Sequence, residues 1–116
     1  MDNFKNVFSL EGRTALVVGG GGLGKPIARA LMQNGADIII ADLNPSVADD
    51  LKEECAAEGR KFFGVKVNLL DADSITAMVA EAKEKTGRID ILVNAAGINI
   101  LKPAEEYDAA AWDKVL

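Results

Sequence analysis

Four short apolar runs alternate with four stretches of helical period along this chain. The runs are Thr14 to Val18, Asp37 to Ala41, Phe62 to Val67 and Ile91 to Asn94. Hydrophobic residues follow one another within them, without the in-and-out alternation of a strand that has one wet face. Such continuity predicts parallel strands covered by helices on both faces. In the first helical stretch Ile27, Ala28, Leu31 and Met32 share a stripe, and Asn34-Gly35 supplies a left-handed exit. Asn44-Pro45 predicts an N-cap with proline at the first helical position, after which Val47, Leu51 and Cys55 recur every fourth residue until Gly59. Asp71 is the expected cap of the third helix, whose apolar positions are Ile75, Met78, Val79 and Ala82 ahead of Gly87. A fourth helix is expected from Asp108 onward, with Tyr107 and Trp112 as its hydrophobic staple.

No Pro/Ser-rich linker divides these elements, so residues 1–116 are expected to form one domain. Strand, helix, strand, helix with short joins predicts right-handed crossovers and an open parallel sheet, here of four strands in the order 3-2-1-4. The 116 residues are 49% hydrophobic and 27% charged, an ordinary globular balance that can support a core. Thirteen basic against eighteen acidic side chains leave a net charge of −5, which offers no general attraction for nucleic acid or anionic lipid. With no histidine and only Cys55, the chain has no means of making a disulfide framework, a Cys/His zinc site or a Ser/His or Cys/His nucleophile pair of its own. Apolar runs such as Ala15 to Val18 and Ile38 to Ala41 fall far short of the ~20 residues that cross a bilayer. The first residues, Met1 to Lys5, do not read as a secretory signal, and the expected address is the cytoplasm.

Candidate chemistry begins at the first strand–helix junction. Gly19-Gly20-Gly21-Gly22-Leu23-Gly24 satisfies G-x-G-x-x-G in register, between a predicted strand and a predicted helix. The first glycine of that fingerprint allows the tight turn, the second clears a path for a pyrophosphate to the backbone, and the third lets the helix press on the strand. Free N–H groups at the helix start then face the phosphates. Asp42, at the end of the second strand and eighteen residues past Gly24, is placed to accept hydrogen bonds from an adenosine ribose. A carboxylate there disfavours a 2′-phosphate, and no Arg or Lys lies between Gly19 and Gly24 or between Ile40 and Val47. NAD(H) is therefore expected in preference to NADP(H), on a Rossmann-like α/β fold.

These residues resemble the N-terminal half of the short-chain dehydrogenase/reductase family. The resemblance rests on Gly12 to Gly20, Gly22-Leu23-Gly24, Asp42-Leu43, Gly87 to Ile98 with its Asn94-Ala95-Ala96-Gly97 segment, and Trp112 to Leu116. It implies cofactor contacts from Gly19, Gly21, Gly22, Leu23, Gly24, Asp42, Leu43, Asn68, Leu69, Asn94, Ala95, Ala96 and Gly97. Three departures stand out. The family pattern T-G-x-x-x-G-x-G reads Val18-Gly19-Gly20-Gly21-Gly22-Leu23-Gly24 here, one residue shorter and with valine for threonine, which implies a tighter loop. Asn68 stands where the family has an adenine-contacting aspartate; its amide oxygen can still accept a hydrogen bond. Ala95 replaces a second asparagine.

By resemblance, the reaction is hydride transfer between nicotinamide and an alcohol or carbonyl, with a Ser and a Tyr-x-x-x-Lys pair managing the proton. Neither feature is matched in these 116 residues: Tyr107 is followed four positions later by Ala111 and is read as a staple residue, so no catalytic residue is assigned. The expectation is the cofactor half of an NAD-dependent oxidoreductase, inactive by itself, whose full-length form takes a small alcohol or carbonyl substrate. The alternative is a dinucleotide-binding or assembly module without chemistry. A methyltransferase with a similar loop is a distant third, since Asn94 to Gly97 has no evident task there. Without a fifth strand, Ile91 to Asn94 would be an unpaired apolar edge, and homo-oligomerisation is expected.

Overall fold

The computed structural model describes residues 9–95. Its strands are β1 (Thr14–Val18), β2 (Asp37–Asp42), β3 (Phe62–Lys66) and β4 (Ile91–Asn94), and they form one parallel sheet in the order β3-β2-β1-β4. The predicted order holds, and the boundaries move by one residue: β2 takes in Asp42 and β3 stops before Val67. Alternate residues of β1 and β2 feed different cores. Ala15, Val17, Ile38 and Ile40 point to one face, and Leu16, Val18, Ile39 and Ala41 to the other. Strand β4 packs only Ile91 and Val93, both on the first face, and leaves Leu92 exposed. Because both faces of β1 and β2 are covered, a polar residue in the middle of either would carry a cost, which is why Ala15 to Val18 and Ile38 to Ala41 are unbroken apolar runs. Ile38, Ile39 and Ile40 are wholly buried, each contributing on the order of 1.5–3 kcal/mol relative to exposure.

The first face is covered by α1 (Gly24–Gln33) and α2 (Asp49–Ala57), the second by α3 (Ala72–Thr86). Helix α1 buries Gly24, Ala28 and Met32, with Leu31 packed partly against them. Ile27, expected in that stripe, is exposed instead. It lies about 100° round the helix from Ala28, off the narrow i, i+4 face on which the helix approaches the sheet. The start of α2 also differs from expectation. A 3-10 turn over Pro45–Ala48 comes first, closed by the Val47 N–H donating to the Asn44 carbonyl at 3.2 Å. Asn44 caps no backbone group; its Oδ1 accepts from the Ser46 hydroxyl. Val47 is thereby turned out of the stripe, while Leu51 and Cys55 are buried as expected. Burial pushes the Cys55 thiol up to about 11, helped by the charges of Glu54 and Asp37. In α3, Asp71 caps the first turn by accepting the Asp73 N–H at 3.0 Å, and Met78 and Ala82 are buried between the flanking Ile75 and Val79.

Two aspartates pin the strand starts. The Thr14 N–H donates to Asp90 Oδ2 at 2.8 Å while the Asp90 N–H donates to the Thr14 carbonyl at 2.9 Å, fixing β4 against β1. The Lys61 N–H likewise donates to Asp37 Oδ1 at 2.8 Å, where β3 meets β2. No helix of the described residues is long and apolar enough to cross a membrane. Ala96, Gly97 and the expected helix from Asp108, with its Tyr107–Trp112 staple, lie outside the described residues.

Candidate functional site

All four strands run the same way, so the segments that follow β1, β2, β3 and β4 emerge along one edge of the sheet. The glycine loop leaves β1 there. Gly19 has φ +100°, a turn that a side chain would strain, and its N–H donates to the Ala41 carbonyl at 2.7 Å. The loop returns sharply enough that a Cβ on Gly24 would overlap the Gly19 carbonyl. That is the close helix–strand approach expected of the third glycine. At Gly21 the opposite holds: a Cβ would meet nothing within 4 Å, so the backbone faces open space.

Helix α1 starts without a side-chain cap and without an acidic residue in its first turn. The Gly24 N–H is satisfied by the Gly21 carbonyl at 3.1 Å. Among the described residues, no carbonyl or side chain takes the N–H groups of Gly21, Gly22 or Leu23. Together with the positive end of the helix dipole, these amides can accept an anion, and phosphate oxygens are the natural guests. Lys25 adds little there, because its Nζ is 3.1 Å from Asp50 on α2.

Asp42 lies beside this loop. Its Oδ2 accepts the Gly20 N–H at 2.7 Å and its Oδ1 accepts the Asn44 N–H at 2.9 Å. Each oxygen keeps a further lone pair for a sugar hydroxyl. Across from Asp42, Lys66 is its register partner on β3. Beyond β3, Asn68 closes a tight turn: its Oδ1 accepts the Leu70 N–H at 3.1 Å and its own N–H donates to Ser74 Oγ at 2.8 Å. The oxygen expected to reach adenine is thus already engaged once. Leu23, Leu43 and Leu69 are exposed to 74%, 63% and 44%, giving this edge apolar surface that a flat base could cover. On the other flank, Asn94 pairs in register with Val18, and the Ala95 N–H donates to the Val18 carbonyl at 2.8 Å. The Ala95 methyl would lie 3.5 Å from a Cβ on Gly24, so β4 abuts the loop.

The model of the short chain dehydrogenase family matches residues 13–116. The chain belongs to the short-chain dehydrogenase family. It is 42% identical over 111 residues to 2-dehydro-3-deoxy-D-gluconate 5-dehydrogenase of Pseudoalteromonas atlantica, covering 94% of this chain and 44% of that protein. D-threitol dehydrogenase of Mycolicibacterium smegmatis is 39% identical over 110 residues, 94% of this chain and 42% of its own length. Among solved structures, a dehydrogenase/reductase from Sinorhizobium meliloti superposes with a TM-score of 0.88 at 33% identity, covering 99% of this chain and 46% of that one. The chain therefore spans less than half the length of these short-chain dehydrogenases.

The sequence assigned no site contact to Gly20, which links the loop to Asp42, and placed Val47 in the buried stripe of the second helix, whereas its Cγ2 lies 3.1 Å from the place a Cβ on Gly20 would take. Neither contact has a spacing signal, because each depends on how β1 and β2 align. A crevice of about 340 Å³ between the 3-10 turn and β3, lined by residues such as Pro45, Asp49 and Phe63, contains none of the expected cofactor residues. No group of metal-ligating side chains occurs among the described residues.

Proposed function

We propose that this chain is the cofactor-binding part of a short-chain oxidoreductase that uses NAD(H) and passes a hydride between nicotinamide and a small alcohol or carbonyl compound. The observation that carries the reading is the loop between β1 and α1: Gly24 pressed against Gly19, open space over Gly21, uncapped amides at the helix start, and the Asp42 carboxylate alongside. Those amides would hold the pyrophosphate, with Gly19, Gly21, Gly22, Leu23 and Gly24 forming its cradle. Asp42 would take the adenosine ribose, and Leu43, Asn68 and Leu69 would surround the adenine. Asn94, Ala95, Ala96 and Gly97 would border the cofactor on its nicotinamide side.

The bound dinucleotide supplies the hydride chemistry, and this part of the chain supplies position. Residues 1–116 contain no Tyr-x-x-x-Lys pair to manage the proton, and on this reading they bind without turning over. The relatives bear the names of a sugar-acid, a steroid and a polyol dehydrogenase, so a secondary alcohol or its ketone is the substrate class proposed for the complete enzyme. A homo-oligomer in the cytoplasm is the proposed working form, in keeping with a free, buried thiol at Cys55.

Calorimetric titration of the protein with NAD⁺ and NADP⁺ at low salt tests the cofactor reading. NAD⁺ is expected to bind tighter by about tenfold or more, since a carboxylate and a phosphate repel at close range; equal or tighter NADP⁺ binding overturns it. Residues 1–116 with NAD(H) and a panel of alcohols and ketones should leave absorbance at 340 nm unchanged.

A further inference from the structure

Asp42 enters the proposed function as a sugar contact, yet its hydrogen bonds point back into the protein. Both carboxylate oxygens are met by main-chain N–H groups, Gly20 at 2.7 Å and Asn44 at 2.9 Å. One residue earlier, the Ala41 carbonyl takes the Gly19 N–H at 2.7 Å. Two successive amides of the glycine loop are thus tied to two successive residues at the end of β2. Gly20 has no slack on its other side, where a Cβ would come within 2.8 Å of Ile40 Cγ2 and 3.1 Å of Val47 Cγ2.

We infer that Asp42 is a positioning residue for the glycine loop: its carboxylate fixes the Gly19–Gly20 peptide so that the Gly21, Gly22 and Leu23 amides stay turned toward the phosphates. The inference rests on the proposed cofactor reading and extends it from the sugar to the pyrophosphate. A run of four glycines has more backbone freedom to lose than any other sequence of its length, and an untied loop loses that freedom when a ligand binds. A hydrogen bond to an ionised acceptor is among the stronger tethers a loop can have. Asp42 therefore contributes to dinucleotide affinity even where the ligand offers it no hydroxyl.

The test compares the full chain with D42A and D42N, each checked for folding by circular dichroism, in titrations with NAD⁺ and with an NAD⁺ analogue lacking both hydroxyls on the adenosine ribose. D42A is expected to weaken the analogue by about tenfold or more, and NAD⁺ by at least that factor, since NAD⁺ also loses its sugar contact. D42N keeps one oxygen for the Gly20 N–H and should recover part of the loss with both. Equal affinity of D42A and the unsubstituted protein for the analogue, with a loss confined to NAD⁺, makes Asp42 a sugar contact alone and overturns the inference. If D42A does not fold, D42S replaces it with the same two outcomes, because a single short hydroxyl cannot bridge Gly20 and Asn44 together. Failure of the unsubstituted protein to bind either dinucleotide refutes the cofactor reading instead. Hydrogen exchange at the Gly20 amide then decides the positioning role: exchange at least about tenfold faster in D42A or D42S upholds it, and an unchanged rate removes it.

Discussion

A methyl group added at Gly24 would land on the Gly19 carbonyl, whereas one added at Gly21 would touch nothing. The two alanine variants should separate folding from binding. G24A must push α1 away from β1, and overpacking of that kind costs about 1–3 kcal/mol or more. G21A keeps an ordinary backbone conformation, since Gly21 is not among the positive-φ glycines, and its stability should stay within about 0.5 kcal/mol of the parent. Its new side chain would nevertheless stand where the phosphates are proposed to pass, so NAD⁺ affinity should fall. Thermal melts and titration of the two variants check this, and a G21A that binds normally would place the ligand elsewhere. The distinction between these glycines was legible in the sequence because G-x-G-x-x-G fixes their order along one loop. The Gly20–Asp42 tether was not, because it joins residues twenty-two positions apart and exists only once β1 and β2 are aligned.

Pairs of elements are held by side chains whose charge state can be varied. Asp90 joins β4 to β1, and its carboxyl is held below the ordinary aspartate value of 3.8, chiefly by the Thr14 N–H and then by the nearby Arg88. A carboxyl lowered on folding stabilises the folded state above its unfolded pKa, and that contribution disappears as pH falls through the lower folded value. D90A should therefore melt below the parent at neutral pH, with the gap closing as acid is added below about pH 4. A gap that stays constant down to pH 2 would show that the carboxylate charge plays no part. Strands β1 and β2 were readable as elements because burial on two faces leaves an unbroken apolar run. The start of α2 was misread because Asn44-Pro45 suits an α-helical cap and a 3-10 turn equally well. In the 3-10 turn Val47 lies over Gly20, a contact no local pattern encodes.

At the scale of the molecule, the sheet has two outer strands, and they are not alike. Among the described residues, β4 pairs only with β1, and Leu92 is 67% exposed on the face where Leu16 and Val18 are covered by α3. On the proposal of self-association, residues 1–116 should elute earlier from a sizing column as concentration rises, and L92K should shift them toward monomer. A stable dilute monomer unaffected by the substitution would count against it. The strand order was legible because short joins and right-handed crossovers leave few arrangements for four parallel strands. Which outer surfaces are covered was not, since that depends on chain that the curated relatives possess in greater length. The pairing of β1 with both β2 and β4 also bears on how the protein is made. Thr14 and Asp90 are joined by paired hydrogen bonds across seventy-six residues, while β1 and β2 lie close in sequence. A ribosome would thus deliver the central strand long before its second neighbour, leaving one side of it unpaired while the intervening residues emerge.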